Sequence, residues 1–176
     1  MIKKKVVIIN GSGGVGKDSF IDMVCKHAKV VNYSSVEMIK WLARCAGWDG
    51  AKDDKGRKFL SDLKRVTTEY NDLSYRCTIE IAKAFMNESK EDEILFIHVR
   101  EPEEIERLKS SIVDTLNAYV VTLLITRESV AAIESNESDK NVLGYEYDYR
   151  CKNDGSLNDL ETTAKNFLYN IRFAAG

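Results

Sequence analysis

Apolar positions along the chain switch repeatedly between unbroken runs and helical spacing, and the switches mark out alternating strands and helices. Val6 to Ile9 is an apolar run that stops at Asn10 and reads as the first strand. Beyond a glycine-rich stretch, Phe20, Met23, Val24 and His27 share one face of a helix that ends near Ala28. Lys29 to Tyr33 reads as a short second strand. Ser34 or Ser35 then caps a helix with Val36, Ile39, Leu42, Ala43 and Ala46 at helical spacing. Gly47-Trp48-Asp49-Gly50 breaks that helix, and Asp53 to Gly56 continues an exposed loop. From Arg57 to about Tyr70 the spacing predicts a third helix, with Phe59, Leu63, Val66 and Tyr70 toward the core. Arg57, Ser61, Lys64 and Thr68 form a separate polar stripe on it. Asn71-Asp72 opens a fourth helix with Tyr75, Ile79, Ala82 and Phe85-Met86 inside.

The second half repeats the alternation. Ile94 to Ile97, within a strand over Glu93–Arg100, and the run from Ala118 to Ile125 are apolar on both strand faces, as in a parallel sheet covered on both sides. Between them Pro102, with Glu101, Glu103 and Glu104 beside it, starts a fifth helix. A polar stretch from Arg127 to Gly144 reads as a short helix and loop, Tyr145 to Arg150 as a last strand. Asn153-Asp154-Gly155 then turns the chain into a final helix capped by Ser156. The expected architecture is a single-domain three-layer α/β/α sandwich over residues 1–176, with a mostly parallel five-stranded sheet. Ligand is expected across the C-terminal ends of its strands.

Composition narrows this picture. A chain of 176 residues can bury a real core, and 44% hydrophobic with 31% charged residues is ordinary for a water-soluble domain. A formal net charge of −2 argues against a nucleic-acid polymer as partner. The opening apolar run is too short for a signal peptide or a membrane span, so no membrane partner and a cytoplasmic location are expected. Cys25, Cys45, Cys77 and Cys151 lack metal-binding spacing and are expected reduced and mostly buried.

The chemistry concentrates in KVVIINGSGGVGKDSF, residues 5 to 20. Strand, then G-x-x-x-x-G-K, then helix is the phosphate-binding loop pattern. Gly11, Gly13, Gly14 and Gly16 permit positive φ angles and leave backbone N–H groups uncovered; Ser12 and Val15 complete the loop. The helix start adds unpaired N–H groups and the positive end of its dipole. Lys17 supplies a mobile ammonium to the β- and γ-phosphates of ATP. After the lysine the pattern has Ser or Thr, but here stands Asp18, with Ser19 next. Either Asp18 ligates Mg²⁺ directly or through water, or Ser19 does so after a small register shift, or Asp18 merely caps the helix.

The loop in the form G-K-D-[ST], the segment HVREPEE and the late SDKN…YDYRCKNDGSLNDL together resemble the P-loop nucleoside-monophosphate-kinase group. The nearest look is to phage-type deoxynucleoside monophosphate kinases, with dephospho-coenzyme A and phosphomevalonate kinases as cousins. The resemblance implies the P-loop NTPase fold, with ATP and Mg²⁺ held by residues 11 to 19. It implies an acceptor-binding helical region over about 34–90 and a lid over about 127–144. Arg100, at the end of the third strand, would contact a phosphate of the acceptor or the transferring group. His98 stands where the family tends to have Asp. Arg127 begins the lid near the nucleotide, and Asn153, Asp154 and Gly155 resemble the turn that packs on adenine.

Lys17, Arg100 and Arg127 are therefore the expected catalytic cations, and Lys40, Arg57, Lys64 and Arg100 the expected acceptor-binding set. The lid segment is net acidic, with Lys140 its one basic residue between Arg127 and Arg150. The expected activity is ATP-dependent transfer of phosphoryl to a small phosphorylated acceptor, foremost a (deoxy)nucleoside monophosphate. The alternatives are a nucleotide-binding protein with little turnover and a kinase for a non-nucleotide phosphorylated metabolite. The expected state is a monomer or homodimer.

Overall fold

The computed structural model describes residues 4–51, 53–87, 93–130 and 142–173. Its strands are β1 (Lys5–Asn10), β2 (Val30–Ser34), β3 (Ile94–His98), β4 (Tyr119–Thr126) and β5 (Tyr149–Lys152). Its helices are α1 (Lys17–Cys25), α2 (Glu37–Cys45), α3 (Asp54–Asn71), α4 (Leu73–Asn87), α5 (Pro102–Leu116) and α6 (Leu157–Phe173). The strands form one sheet in the order β2-β3-β1-β4-β5, and all four pairings are parallel. Most of the expected lid, Lys140 included, lies outside the described residues; a short 3-10 turn covers Val142–Gly144.

Alternation along β1 explains the two cores. Val7 and Ile9 enter one cluster with Phe20, Val24, Phe96, Leu123, Phe167 and Ile171, which buries α1 and α6. Val6 and Ile8 point to the other face, among Ala82, Leu95, Ile105, Leu108 and Ile112, which buries α4 and α5. Successive side chains of a strand face opposite ways, so a run apolar at every position demands cover on both sides. All six residues of β1 are buried.

Several sequence expectations shift locally. No serine caps α2: its N-cap is Val36, without a side-chain hydrogen bond, while the backbone N–H of Ser35 donates to the His98 carbonyl at 3.2 Å. Asp53 to Gly56 is not loop, because Asp53 is the N-cap of α3 and its Oδ1 accepts the Gly56 N–H at 2.7 Å. That cap starts the helix three residues earlier than the apolar pattern could show. Most of the expected core stripe of α3 is also turned outward: Phe59, Val66 and Tyr70 are exposed, Tyr70 by 85%, while Leu63 is half-buried. Gly56 is the one residue classed as buried on this helix, and Lys64, Leu60 and Thr67 are half-buried. His27 lies past the end of α1, exposed and 3.1 Å from Glu161, and Cys25 and Cys45 are exposed rather than buried. The last strand begins at Tyr149, four residues later than expected.

The stretch before β5 is clamped by Asp148. Its carboxylate accepts hydrogen bonds from the Thr122 backbone N–H (2.8 Å) and hydroxyl (2.9 Å) and from Lys109 Nζ (2.9 Å). Partial burial pushes its carboxyl up, but these donors outweigh that and hold it below the ordinary carboxylate range. A depressed folded-state pKa adds stability that is present above the unfolded pKa, about 3.9, and is lost as pH falls through the folded value. Asp148→Asn is therefore expected to lower stability at pH 7 by about 1 kcal/mol, since the group is partly exposed. Thermal melts from pH 7 to pH 3 should show the gap to wild type closing on the acid side; an equal gap throughout would refute the linkage.

Candidate functional site

β1 lies centrally, with β3 on one side and β4 on the other, so its C-terminal end is where the strand order changes direction. Ile9 is in register with His98 and Asn10 with Leu124. The segments 10–19, 98–101, 126–128 and 152–155 are thereby gathered at one edge of the sheet.

Gly11, Gly14 and Gly16 adopt φ angles of 144°, 84° and 90°. Gly13 is not among the positive-φ glycines, so it contributes openness rather than handedness. A side chain at Gly16 would meet the Asn153 carboxamide, and one at Gly11 the Ile125 carbonyl. Those two close approaches fix why glycine stands at both ends of the loop. The Gly11 N–H is already engaged, donating to Asn10 Oδ1 at 2.7 Å. Gly16 is the N-cap of α1, which carries no side-chain cap; the helix start presents its N–H groups and positive dipole end. Lys17 Nζ donates to the carbonyls of Gly11 (2.5 Å) and Ser12 (3.0 Å), lying over the loop.

Asp18 is not that cap. Its side chain is 87% exposed and sits 3.9 Å from His98 Nε2. A magnesium ion keeps several waters and takes one or two protein oxygens plus phosphate, so the exposed Asp18 carboxylate and the neighbouring Ser19 hydroxyl fit such an ion. Among the described residues no group of three or more His, Cys, Asp or Glu could hold a metal unaided.

His98 bonds Asn32 Oδ1 at 2.8 Å. Burial pushes its imidazole below the ordinary histidine range; Asp18 opposes this, and the charges of Lys17 and Lys40 reinforce it. The ring is thus a neutral group within electrostatic reach of Lys17, Asp18 and Lys40. Lys40 also pairs with Glu37 at 3.4 Å.

The other expected residues divide. Asn153 is buried, donating from Nδ2 to the Val15 carbonyl at 2.9 Å and from its backbone N–H to the Thr126 carbonyl at 2.8 Å. Asp154 Oδ1 accepts the Glu128 N–H at 2.6 Å. The 153–155 turn is therefore tied to both the phosphate loop and the two residues flanking the exposed Arg127, with Gly155 exposed beside it. Lys64 is held 2.7 Å from Glu101, which sets α3 against the turn after Arg100. Arg57 is exposed two stripe positions earlier on the same helix. Arg100 is exposed at the side chain, while its carbonyl accepts from Asn10 Nδ2 at 2.9 Å.

Three contributors escaped the sequence reading: Asn10, Asn32 and Tyr147. The available signal was Asn10 itself, a polar residue closing an apolar strand, which once buried must find partners. A groove of about 810 Å³ lies elsewhere, between α2 and α4, with Tyr33, Met38, Trp41 and Cys77 on its walls. None of its lining residues belongs to the phosphate loop, so the loop's chemistry and not the groove's size marks the site.

No protein-family model matches the sequence, and no curated protein matches it significantly. Solved structures do. The tunicamycin resistance protein of Deinococcus radiodurans is 11% identical with a TM-score of 0.56, over 93% of this chain and 96% of that one. A candidate kinase from Chloroflexus aurantiacus is 10% identical with a TM-score of 0.52, over 97% and 98%. At such identities the likeness concerns the fold. The parallel sheet, the helices on both its faces and the loop between β1 and α1 make it a P-loop NTPase fold.

Proposed function

We propose that the chain is an ATP-dependent phosphotransferase for a small phosphorylated acceptor, foremost a (deoxy)nucleoside monophosphate. The observation that carries this reading is the loop: left-handed Gly14 and Gly16 open onto the start of α1, with Lys17 Nζ lying across the loop carbonyls. Phosphoryl transfer is governed by positioning and by cations around the transferring group, and it asks for no covalent chemistry from the protein. Lys17 would neutralise the β- and γ-phosphates, and Arg100 and Arg127, beyond the ends of the two strands that flank β1, would approach the transferring group and the nucleotide. Mg²⁺, when bound through Asp18 or Ser19, would screen the phosphate charge. Asn153 would hold the loop in shape from below while Asp154 and Gly155 border the nucleotide.

On the acceptor side, α2, α3 and α4 occupy the region expected to bind it, and Lys40, Arg57 and Lys64 are its cations. The Lys64–Glu101 pair supports this by setting α3 next to Arg100. The nucleoside monophosphate itself rests on the G-K-D-S and HVREPEE resemblance. A second reading, a nucleotide binder with little turnover, is favoured by His98, a neutral imidazole 3.9 Å from Asp18 at the end of β3.

A coupled ADP-release assay over a panel of nucleoside monophosphates, dephospho-coenzyme A and phosphomevalonate separates these. Stimulation by one or more monophosphates is expected. ATP binding without stimulation by any acceptor selects the second reading, and absence of ATP binding in calorimetry removes both.

A further inference from the structure

Asn10 is 1% exposed and uses both ends of its carboxamide. Oδ1 accepts the Gly11 N–H at 2.7 Å. Nδ2 donates to the Arg100 carbonyl at 2.9 Å and to the Tyr147 hydroxyl at 2.8 Å. The three partners belong to three separate parts of the site: the first residue of the phosphate loop, the end of β3, and the chain running into β5. A planar amide with one acceptor and two donors meets all three at once. Aspartate has the shape but lacks the donors, and leucine lacks both.

Tyr147 is a firm anchor for this arrangement. It is 8% exposed, its ring packs edge-on against Tyr145 with centroids 4.7 Å apart, and the Arg150 guanidinium lies 5.5 Å from its centre. Burial pushes its phenol up to about 12, so the hydroxyl stays neutral across any working pH. Its neighbour Asp148 is clamped to Thr122 and Lys109, so Tyr147 does not float.

We propose that Asn10 is a positioning residue, whose carboxamide sets the phosphate loop and Arg100 in one frame with Tyr147 as its fixed support. This rests on the phosphotransferase reading above, in which Arg100 meets the transferring or acceptor phosphate. Misplacing a reacting group by about 1 Å costs on the order of a hundredfold in rate. Asn10 controls such a displacement because the backbone of Arg100 hangs from it.

The experiment is a kinetic double-mutant cycle on the full chain with magnesium, ATP and the best acceptor of the panel. Asn10→Ala is expected to leave the ATP dissociation constant within about threefold and to lower kcat roughly ten- to a hundredfold. In an Arg100→Ala background the same substitution should cost several-fold less than in wild type, because there is no longer a guanidinium to aim and only the loop contact is lost. A merely structural Asn10 would cost the full factor in both backgrounds, and that result overturns the proposal. Tyr147→Phe keeps the ring and removes only the hydroxyl, so it repeats the cycle should Asn10→Ala fail to fold. Amide resonances supply a readout independent of turnover. In Tyr147→Phe those of Gly11 and Arg100 should move together while those of α6 stay put, and no movement at either site also overturns the frame. A wild-type chain without turnover on any acceptor sinks the phosphotransferase reading instead.

Discussion

Lys17→Ala is expected to lower ATP turnover on the order of a thousandfold, the scale for deleting one cation that meets a transferring phosphoryl group. The side chain lies over Gly11 and Ser12 and reaches no core position, so the variant should melt within a few degrees of wild type. Its ammonium is a compact, strongly hydrated charge that no neighbouring side chain can replace: Arg100 and Arg127 lie at other strand ends, and the Lys40 ammonium is paired with Glu37. Losing it leaves the backbone N–H groups as the loop's contribution, so ATP affinity should also fall. The checks are steady-state kinetics and calorimetric titration with magnesium and ATP. A variant keeping a tenth or more of wild-type turnover would falsify the assignment of this loop.

Phe96→Ala should have the largest effect on stability, about 3 to 5 kcal/mol. Phe96 is fully buried in β3, within the cluster that joins the sheet to α1 and α6. Its removal takes away the transfer free energy of a large ring and leaves a cavity between rigid layers that cannot collapse into it. For a domain of this size that predicts a melting point lower by roughly 6 to 20 °C. The measurement is urea or thermal unfolding followed by far-ultraviolet circular dichroism. A loss below 1 kcal/mol would mean the core repacks far more freely than its density implies.

The elements that were legible in the sequence are those where one physical signal dominates. β1, β3 and β4 each carry a run of consecutive apolar residues buried on both faces, and could not be mistaken for surface. The loop announced itself because phosphate recognition constrains the backbone at several glycines together. α3 was misjudged in orientation, since its apolar stripe of Phe59, Val66 and Tyr70 shares the helix with a packing face built around Gly56 and the half-buried Lys64. Periodicity finds the moment of a helix, and here the packed face is not the most apolar one. The start of α3 was missed because a cap at Asp53 outweighs the polar character of the turn that follows. In the candidate site, side chains expected to meet ligand could be named from residue type and strand end. Asn10 and Tyr147 could not be paired, because 137 positions separate them and only the finished sheet brings them to 2.8 Å.

The central place of β1 has a cost in assembly. Its first residue pairs with Ile94 on one side and Tyr119 on the other, so the strand made first has no partner until more than half the chain exists. Contacts so distant along the polypeptide form slowly, because loop closure precedes any stabilisation they bring. A nascent chain therefore carries the apolar run Val6 to Ile9 exposed while the ribosome completes the strands that cover it. Moving β1 to the end of the chain by circular permutation would be the direct way to ask how far that delay limits the yield of folded protein.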